Sequence, residues 1–268
     1  MSHIYVINLR RSTVRRRLME RQLRRLGLAF DFIEARDATS ITANPASEII
    51  SSVARGGALT PGELACAHSH SDACSVLAEQ VGDEYGVVME DDVILGQNLT
   101  KVISALEKRG PRDEVVLLGG LAFRPIDLIG DQPLIGPYIL ARPTPLERVW
   151  GAQAYFVSRK QARTLADATL RLQCRADDWW SYVQGGVVGG VHAVFPFPVV
   201  HAELNSDVQK YATDRYVFSR QSISRYIHAH RVFPFQQLSL LIRRNRAEHR
   251  QRCMITLNSF PVSVTYRL

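Results

Sequence analysis

The sequence predicts an α/β fold: a mostly parallel sheet with flanking helices, followed by a basic helical extension at the C-terminus. Two observations carry this. Through the first 120 residues, short apolar runs of strand character alternate with segments whose apolar residues recur at helical spacing. Helix-start residues, Ser12 and later Thr60-Pro61-Gly62-Glu63, stand between those runs, so each helix has a defined entry. Strand, helix, strand, helix is the order a parallel sheet requires, because each crossover must return the chain to the edge where it started.

The elements follow in order. His3 to Leu9 reads as a first strand. Ser12 caps a helix in which Val14, Leu18, Met19, Leu23 and Leu26 fall at helical spacing until Gly27 ends it. Leu28 to Glu34 alternates as a second strand. After a polar loop, Thr60 and Glu63 make a capping box with Pro61 at the first helical position, opening a helix that runs to Gln80. Tyr85 to Glu90 is a third strand, Leu99 to Lys108 a helix, and Val115 to Leu118 a fourth strand. Ala122 to Trp150 carries five prolines and reads as a long loop or an irregular hairpin. Ala152 to Val157 is a strand, Ser158 to Leu172 a helix, and His192 to Val200 another strand. The last 50 residues alternate amphipathic helix and basic runs and end in a candidate strand, Met254 to Val264. No linker, repeat or low-complexity segment is visible. Residues 1–215 therefore read as one domain, and 216–268 as a basic amphipathic extension packed on it.

Composition narrows the function classes. With 268 residues, 46% hydrophobic and 22% charged, the chain has enough apolar surface for a core without disulfide or metal staples. No run approaches the ~18 apolar residues of a membrane span. Ile4 to Leu9 follows Met1 directly and reads as a strand, so no secretory signal is expected. Cys66, Cys74, Cys174 and Cys253 form no CxxC pair and no zinc spacing; they read as buried free thiols of a reducing cytoplasm, without a catalytic role. The net charge of +7 comes almost wholly from arginine. Arg10 to Arg25 holds eight arginines against Glu20, and Tyr216 to Arg252 holds eight more against Glu248. Such patches suit phosphates, nucleic acid or anionic lipid, or are simply solvated faces. A helix-turn-helix, zinc-finger or RNP pattern is lacking, so nucleic-acid binding rests on charge alone and no specific nucleic-acid partner is expected.

The densest chemistry lies at Val87-Val88-Met89-Glu90-Asp91-Asp92-Val93. Three carboxylates end an apolar strand, where open α/β sheets bind ligands. Strand alternation would bring Glu90 and Asp92 together and turn Asp91 away. Two convergent carboxylates are a partial shell for Mn²⁺ or Mg²⁺ that leaves room for phosphate oxygens. An acidic turn after a strand is the plainer alternative.

Four blocks place this motif in a family. Ile4-Tyr5-Val6-Ile7-Asn8-Leu9, with Arg10-Arg11-Ser12 and Arg15-Arg16, resembles the opening of glycosyltransferase family 25, the lipopolysaccharide-type β-galactosyltransferases. Leu59-Thr60-Pro61-Gly62-Glu63-Leu64-Ala65-Cys66-Ala67-His68-Ser69-His70 is similar to its signature block. Glu90-Asp91-Asp92 resembles its metal motif, and Ala154-Tyr155-Phe156-Val157-Ser158-Arg159-Lys160-Gln161-Ala162 its later strand-to-helix block. The order and spacing agree over residues 3 to 180. The resemblance implies a GT-A-like, Rossmann-like fold, a nucleotide-sugar donor and inversion at the anomeric carbon.

Residue chemistry agrees with that implication. Breaking the bond to a UDP leaving group requires the diphosphate to be neutralised, which a cation on Glu90 and Asp92 would do. His201, after Val199-Val200, is a candidate third metal ligand. The turn from Asn8 to Ser12 offers Arg10 and Arg11 beside a helix N-terminus, a favourable place for donor phosphates, and Asp37 is a candidate for the ribose or uracil. The family block implies that Ser69 and His70 line the donor site. His68 and His70 stand two residues apart and do not share a helix face, so they make a poor metal pair. Inversion needs a general base, for which Asp177-Asp178 before Trp179-Trp180 is the first candidate and Asp91 the next.

The expected function is thus an inverting, metal-dependent hexosyltransferase, most simply moving galactose from UDP-galactose onto a lipopolysaccharide or other lipid-linked glycan. Its expected location is the cytoplasm, peripheral on the inner face of the cytoplasmic membrane, where the basic C-terminus meets anionic lipid. A metal-dependent nucleotidyl- or phosphotransferase, or a basic nucleic-acid-binding protein, are the alternatives.

Overall fold

The computed structural model describes residues 2–41, 59–82, 84–111, 113–122, 126–172 and 174–202. The expected extension 216–268, with its candidate strand Met254 to Val264, lies outside the described residues.

In chain order the elements are β1 (His3–Asn8), α1 (Thr13–Leu26), β2 (Phe30–Glu34), α2 (Ala38–Ile41), α3 (Pro61–Glu79), β3 (Tyr85–Glu90), β4 (Val93–Leu95), α4 (Leu99–Arg109), β5 (Glu114–Ala122), β6 (Asp127–Ile135), β7 (Tyr138–Thr144), β8 (Val149–Ser158), α5 (Arg159–Leu172), α6 (Trp179–Gln184), β9 (Gly190–Phe195) and β10 (Val199–His201). Eight strands form one sheet in the order β2-β1-β3-β8-β5-β9-β7-β6. β1 is parallel to β2 and β3, and β5 is parallel to β9. β8 runs antiparallel between β3 and β5, and β7 antiparallel between β9 and β6. Six strands thus share one direction and β8 and β7 oppose it. The sheet is largely parallel in direction but mixed in its pairings.

Alternation of side chains along the strands sorts two cores onto the two faces. Ile4, Val6, Val87 and Met89 pack with Met19 and Leu23 of α1 and with Val102, Ile103 and Leu106 of α4. Tyr5, Ile7 and Val88 pack on the other face with Leu77 of α3, Leu165 of α5 and Trp179 of α6. Each fully buried Val or Leu contributes roughly 1.5–3 kcal/mol. The capping box on α3 is present: Glu63 N–H donates to Thr60 Oγ1 and Thr60 N–H donates to Glu63 Oε2. Gly27 closes α1 in the left-handed conformation, with its amide donating to carbonyls of the last turn.

Of the two readings offered for Ala122 to Trp150, the structure has the irregular hairpin: β6–β7, with register shifts, extends the sheet at one edge. Two other expectations change. The strand expected over His192 to Val200 is two strands, because Pro196 and Pro198 lack the amide a continuous ladder needs. The second of them, β10, pairs with β4 instead of the main sheet. On α1, Val14 and Leu18 keep helical spacing yet are 52% and 42% exposed, so only Met19 and Leu23 are buried in the core.

This topology creates one special place. From β1 the chain moves outward to β2 on one side, then crosses through α3 to β3 on the other side. β1 and β3 stay paired to their ends, but the chain leaving β3 leads through β4 and α4 to β5 on the side opposite β2. The two connections thus part at a switch point, where open α/β sheets take ligands.

Candidate functional site

A cleft of about 110 Å³ opens at that switch point. It is lined by Ile7 and Leu9 at the end of β1, Arg11 in the turn before α1, Arg15 in the first turn of α1, Arg36 in the loop after β2, and Cys66, Ser69 and His70 of α3. Glu90, Asp91 and Asp92 close it from the end of β3. The cleft thus sets three guanidiniums against three carboxylates.

The acids are not arranged as strand alternation predicts. β3 ends at Glu90, and Asp91 and Asp92 lie in the bend before β4, where alternation no longer applies. Asp91 does not turn away: Asn8 Nδ2 donates to its Oδ2 at 2.5 Å, and Arg15 Nη1 donates to its Oδ1 at 3.0 Å. Arg15 also lies 3.5 Å from Asp92 Oδ2. Glu90 turns instead toward α3, with Oε1 3.4 Å from His70 Nε2. Burial pushes the Asp91 carboxyl up, and Arg15 and Asn8 only partly oppose it. Burial also pushes Asp92 up, but His201 and Arg15 more than reverse this and hold it below the ordinary carboxylate range.

His201 reaches Asp92 through the small β4–β10 sheet. Its Nε2 lies 3.4 Å from Asp92 Oδ2, and the next residue, Ala202, donates its amide to the Asp92 carbonyl at 2.7 Å. Gly119 makes this approach possible, since a Cβ there would lie 2.9 Å from the Val199 carbonyl oxygen. Asp92 Oδ1 is buried without a hydrogen-bond partner. A carboxylate oxygen left unpaired beside an imidazole is a donor set that fits a hard divalent cation. Glu90, by contrast, is grouped with His70 and Cys66, apart from Asp92 and His201.

The remaining expected donor residues separate. Arg11 lines the cleft and pairs with Asp37, which also accepts from Thr39. Arg10 is exposed and outside the cleft lining. Asn8 is buried and committed through its amide nitrogen to Asp91. Ser69 lines the cleft, but its hydroxyl donates to the Ala65 carbonyl and accepts from the Arg36 amide, so it locks the loop after β2 onto α3. His68 is partly buried, and burial lowers its pKa.

Asp177 and Asp178 have distinct surroundings. Asp178 is 1% exposed and caps α6, accepting from Ser181 N–H and from Ser181 Oγ at 2.7 Å. Asp177 Oδ2 accepts the Gly151 amide at 2.9 Å, while the Gly151 carbonyl accepts Trp179 Nε1–H at 3.1 Å. Gly151 has φ +94°, a conformation side-chain-bearing residues rarely adopt, and this lets both of its polar groups meet the 177–179 segment. Burial raises the Asp177 pKa, the Gly151 amide opposes that, and the nearby negative charge of Glu90 adds to the rise. Of the two acids, Asp177 is the one electrostatically coupled to the cleft.

Four residues without an assigned role in the sequence reading belong to this site: Arg15, Arg36, Cys66 and Tyr155. One had a readable signal: Cys66 stands four residues before His70 on α3 and so shares a helix face with it, whereas Arg11 precedes the α1 N-cap and gives no such signal for Arg15. Arg36 is held by a bidentate pair with Asp72, Nε at 2.7 Å and Nη2 at 2.8 Å. Tyr155 touches His70 across 85 positions of sequence, which no local pattern reveals.

Residues 1–125 match the family model of glycosyltransferase family 25 (LPS biosynthesis protein). All residues lining the cleft lie within that stretch, whereas Asp177 and His201 lie beyond it. The match supports a glycosyltransferase of lipopolysaccharide biosynthesis, with a sugar donor and a glycan acceptor. Among curated proteins there is no match to the chain.

Proposed function

We propose that the cleft is the donor site of a GT-A-like, inverting glycosyltransferase that moves a hexose, first among them galactose from UDP-galactose, onto a lipopolysaccharide or other lipid-linked glycan. The carrying observation is the facing of Arg11, Arg15 and Arg36 against Glu90, Asp91 and Asp92 at the switch point. Counting Asp37 and Asp72, the partners of Arg11 and Arg36, three guanidiniums meet five carboxylates, a formal balance of −2. A diphosphate is repelled by such a balance unless a divalent cation joins it. That supports Mn²⁺ or Mg²⁺ as cofactor, with Asp92 and His201 as the residues that would hold it. When bound, the cation would neutralise charge growing on the departing diphosphate.

The chain's own groups supply the rest. Arg11 and Arg36, both at the mouth, orient the anionic donor. Asp177, kept basic by burial, takes the acceptor hydroxyl proton. Asp178 holds α6, and with it Trp179 and the Asp177 backbone, in place. The exposed arginines of α1 beside the cleft, with Val14 and Leu18 exposed among them, support an acceptor presented at an anionic membrane surface.

The test is incubation of the full chain with a panel of UDP-sugars, a lipid-linked glycan acceptor and Mn²⁺, assaying UDP. Acceptor-dependent UDP release is expected, strongest with UDP-galactose. Pyrophosphate release from a nucleoside triphosphate with no UDP from any UDP-sugar would reassign the cleft to nucleotidyl transfer.

A further inference from the structure

Cys66, His70 and Glu90 place a thiol sulfur, an imidazole nitrogen and a carboxylate oxygen within 4.8 Å of one another. We propose that these three side chains form a binding site for a borderline-soft divalent cation of the zinc type, with its fourth position open to the cleft for water or an anionic oxygen.

The geometry supports this from three directions. Cys66 and His70 are four residues apart on α3 and so project from one helix face, toward the end of β3 where Glu90 stands. His70 Nε2 and Glu90 Oε1 are 3.4 Å apart, close to the ~3.3 Å edge of a tetrahedron built on metal bonds of ~2.0 Å. The imidazole is also fixed from behind. Tyr155 OH lies 3.2 Å from His70 Nδ1 and 3.3 Å from Cys74 Sγ, and the two rings stack with centroids 5.8 Å apart. With Nδ1–H donating to the Tyr155 oxygen and Tyr155 O–H donating to Cys74 Sγ, Nε2 is the bare nitrogen facing Glu90. A hydrogen bond on the far nitrogen is what metal-ligating histidines characteristically have.

The choice of ion follows from the donors. Sulfur with imidazole selects zinc over magnesium or manganese, which prefer oxygen-rich shells. The negative charges of Glu90, Asp177, Asp92 and Glu63 around the thiol favour a cation as well, whereas the burial that does most to raise the Cys66 pKa is a cost the sulfur–metal bond must offset. Binding then forms the sulfur–zinc bond as the thiol proton passes to solvent and hydration water leaves the ion.

Cobalt(II) titrated into the metal-free full chain reads the site directly, because thiolate coordination gives a near-ultraviolet charge-transfer band. Wild type should show the band, and zinc should bleach it. It should persist in Cys174→Ser and Cys253→Ser, and disappear in Cys66→Ser. Tyr155→Phe should keep the band but weaken cobalt affinity about 10- to 100-fold. Absence of the band in wild type, or its survival in Cys66→Ser, would overturn the proposal. Should Cys66→Ser fail to fold, wild type decides alone: one equivalent of zinc should protect Cys66 from alkylation in mass-mapped digests, and an unchanged rate at Cys66 would overturn it. Neither readout uses a sugar donor, so this proposal and the glycosyl-transfer reading stand or fall separately.

Discussion

Arg15 Nη1 sits 3.0 Å from Asp91 Oδ1 and 3.5 Å from Asp92 Oδ2, so one guanidinium joins two adjacent acids at the end of β3. All three side chains are largely buried, Arg15 at 17% exposure. Adjacent buried carboxylates repel unless a cation is placed between them. The pairing is therefore a structural condition for having an acidic motif in the cleft.

Arg15→Ala should leave both acids uncompensated and destabilise the protein on the order of 3 kcal/mol. Urea unfolding at neutral pH checks this. Added Mn²⁺ should return part of the lost stability, because a divalent ion can replace the guanidinium beside Asp92. A variant as stable as wild type would show that the two acids are not held by Arg15.

The two acids before α6 should separate by phenotype. Asp177→Asn should slow transfer by ~10² to 10⁴-fold while leaving donor binding near wild type. Asp178→Ala should chiefly cost stability, about 1 kcal/mol for a lost helix cap. In wild type the rate should rise with pH as the Asp177 carboxyl, held above the usual range, loses its proton; that limb should vanish in Asp177→Asn. Chemical denaturation and pH–rate profiles distinguish the two. Wild-type turnover in Asp177→Asn would move the base elsewhere, with Asp91 next.

Glu63 offers a pH test of the scaffold. Burial pushes its pKa up, but donation from Thr60 N–H and from Arg175, whose Nε is 2.6 Å away, brings the net below the ordinary value. A lowered folded-state pKa stabilises fully above the unfolded value and loses that stabilisation as pH falls through the folded one. Glu63→Gln should therefore cost about 1–2 kcal/mol at neutral pH and progressively less as acid protonates wild type. Unfolding free energies from pH 7 downward check this, and a pH-independent difference would contradict it.

Surface charge beside the cleft should govern membrane contact. Arg17 and Arg21 are exposed on α1, and each basic residue near an anionic surface is worth ~1 kcal/mol. Reversing both to Glu should reduce co-sedimentation with anionic vesicles, raised salt should mimic the change, and neutral vesicles should not bind. Equal sedimentation of variant and wild type would reject a role for this helix.

The strands and helices that build the switch point were legible because their signals are local. Thr60 and Glu63 are three residues apart, and Tyr85 to Glu90 is a continuous apolar run ended by charge. Local signals do not extend beyond an element's end. Alternation placed Asp91 on the wrong side because β3 stops at Glu90. The run from His192 to Val200 is apolar enough for one strand, but Pro196 and Pro198 cannot donate to a ladder and divide it. The approach of His201 to Asp92 was anticipated as shared chemistry, but its route through the β4–β10 pairing is non-local. The Tyr155–His70 contact is likewise a product of packing that no spacing encodes.

In the proposed function, the cleft at the ends of β1 and β3 binds a nucleotide sugar through its acids and a divalent ion. Calorimetric titration of UDP-galactose into wild type and Asp92→Asn, each with and without Mn²⁺, tests it most directly. Saturable one-to-one binding by wild type is expected, requiring Mn²⁺ and weakening at least about tenfold, about 1.4 kcal/mol, in Asp92→Asn. Equal affinity in the two proteins, or no binding by wild type with the ion present, would contradict it.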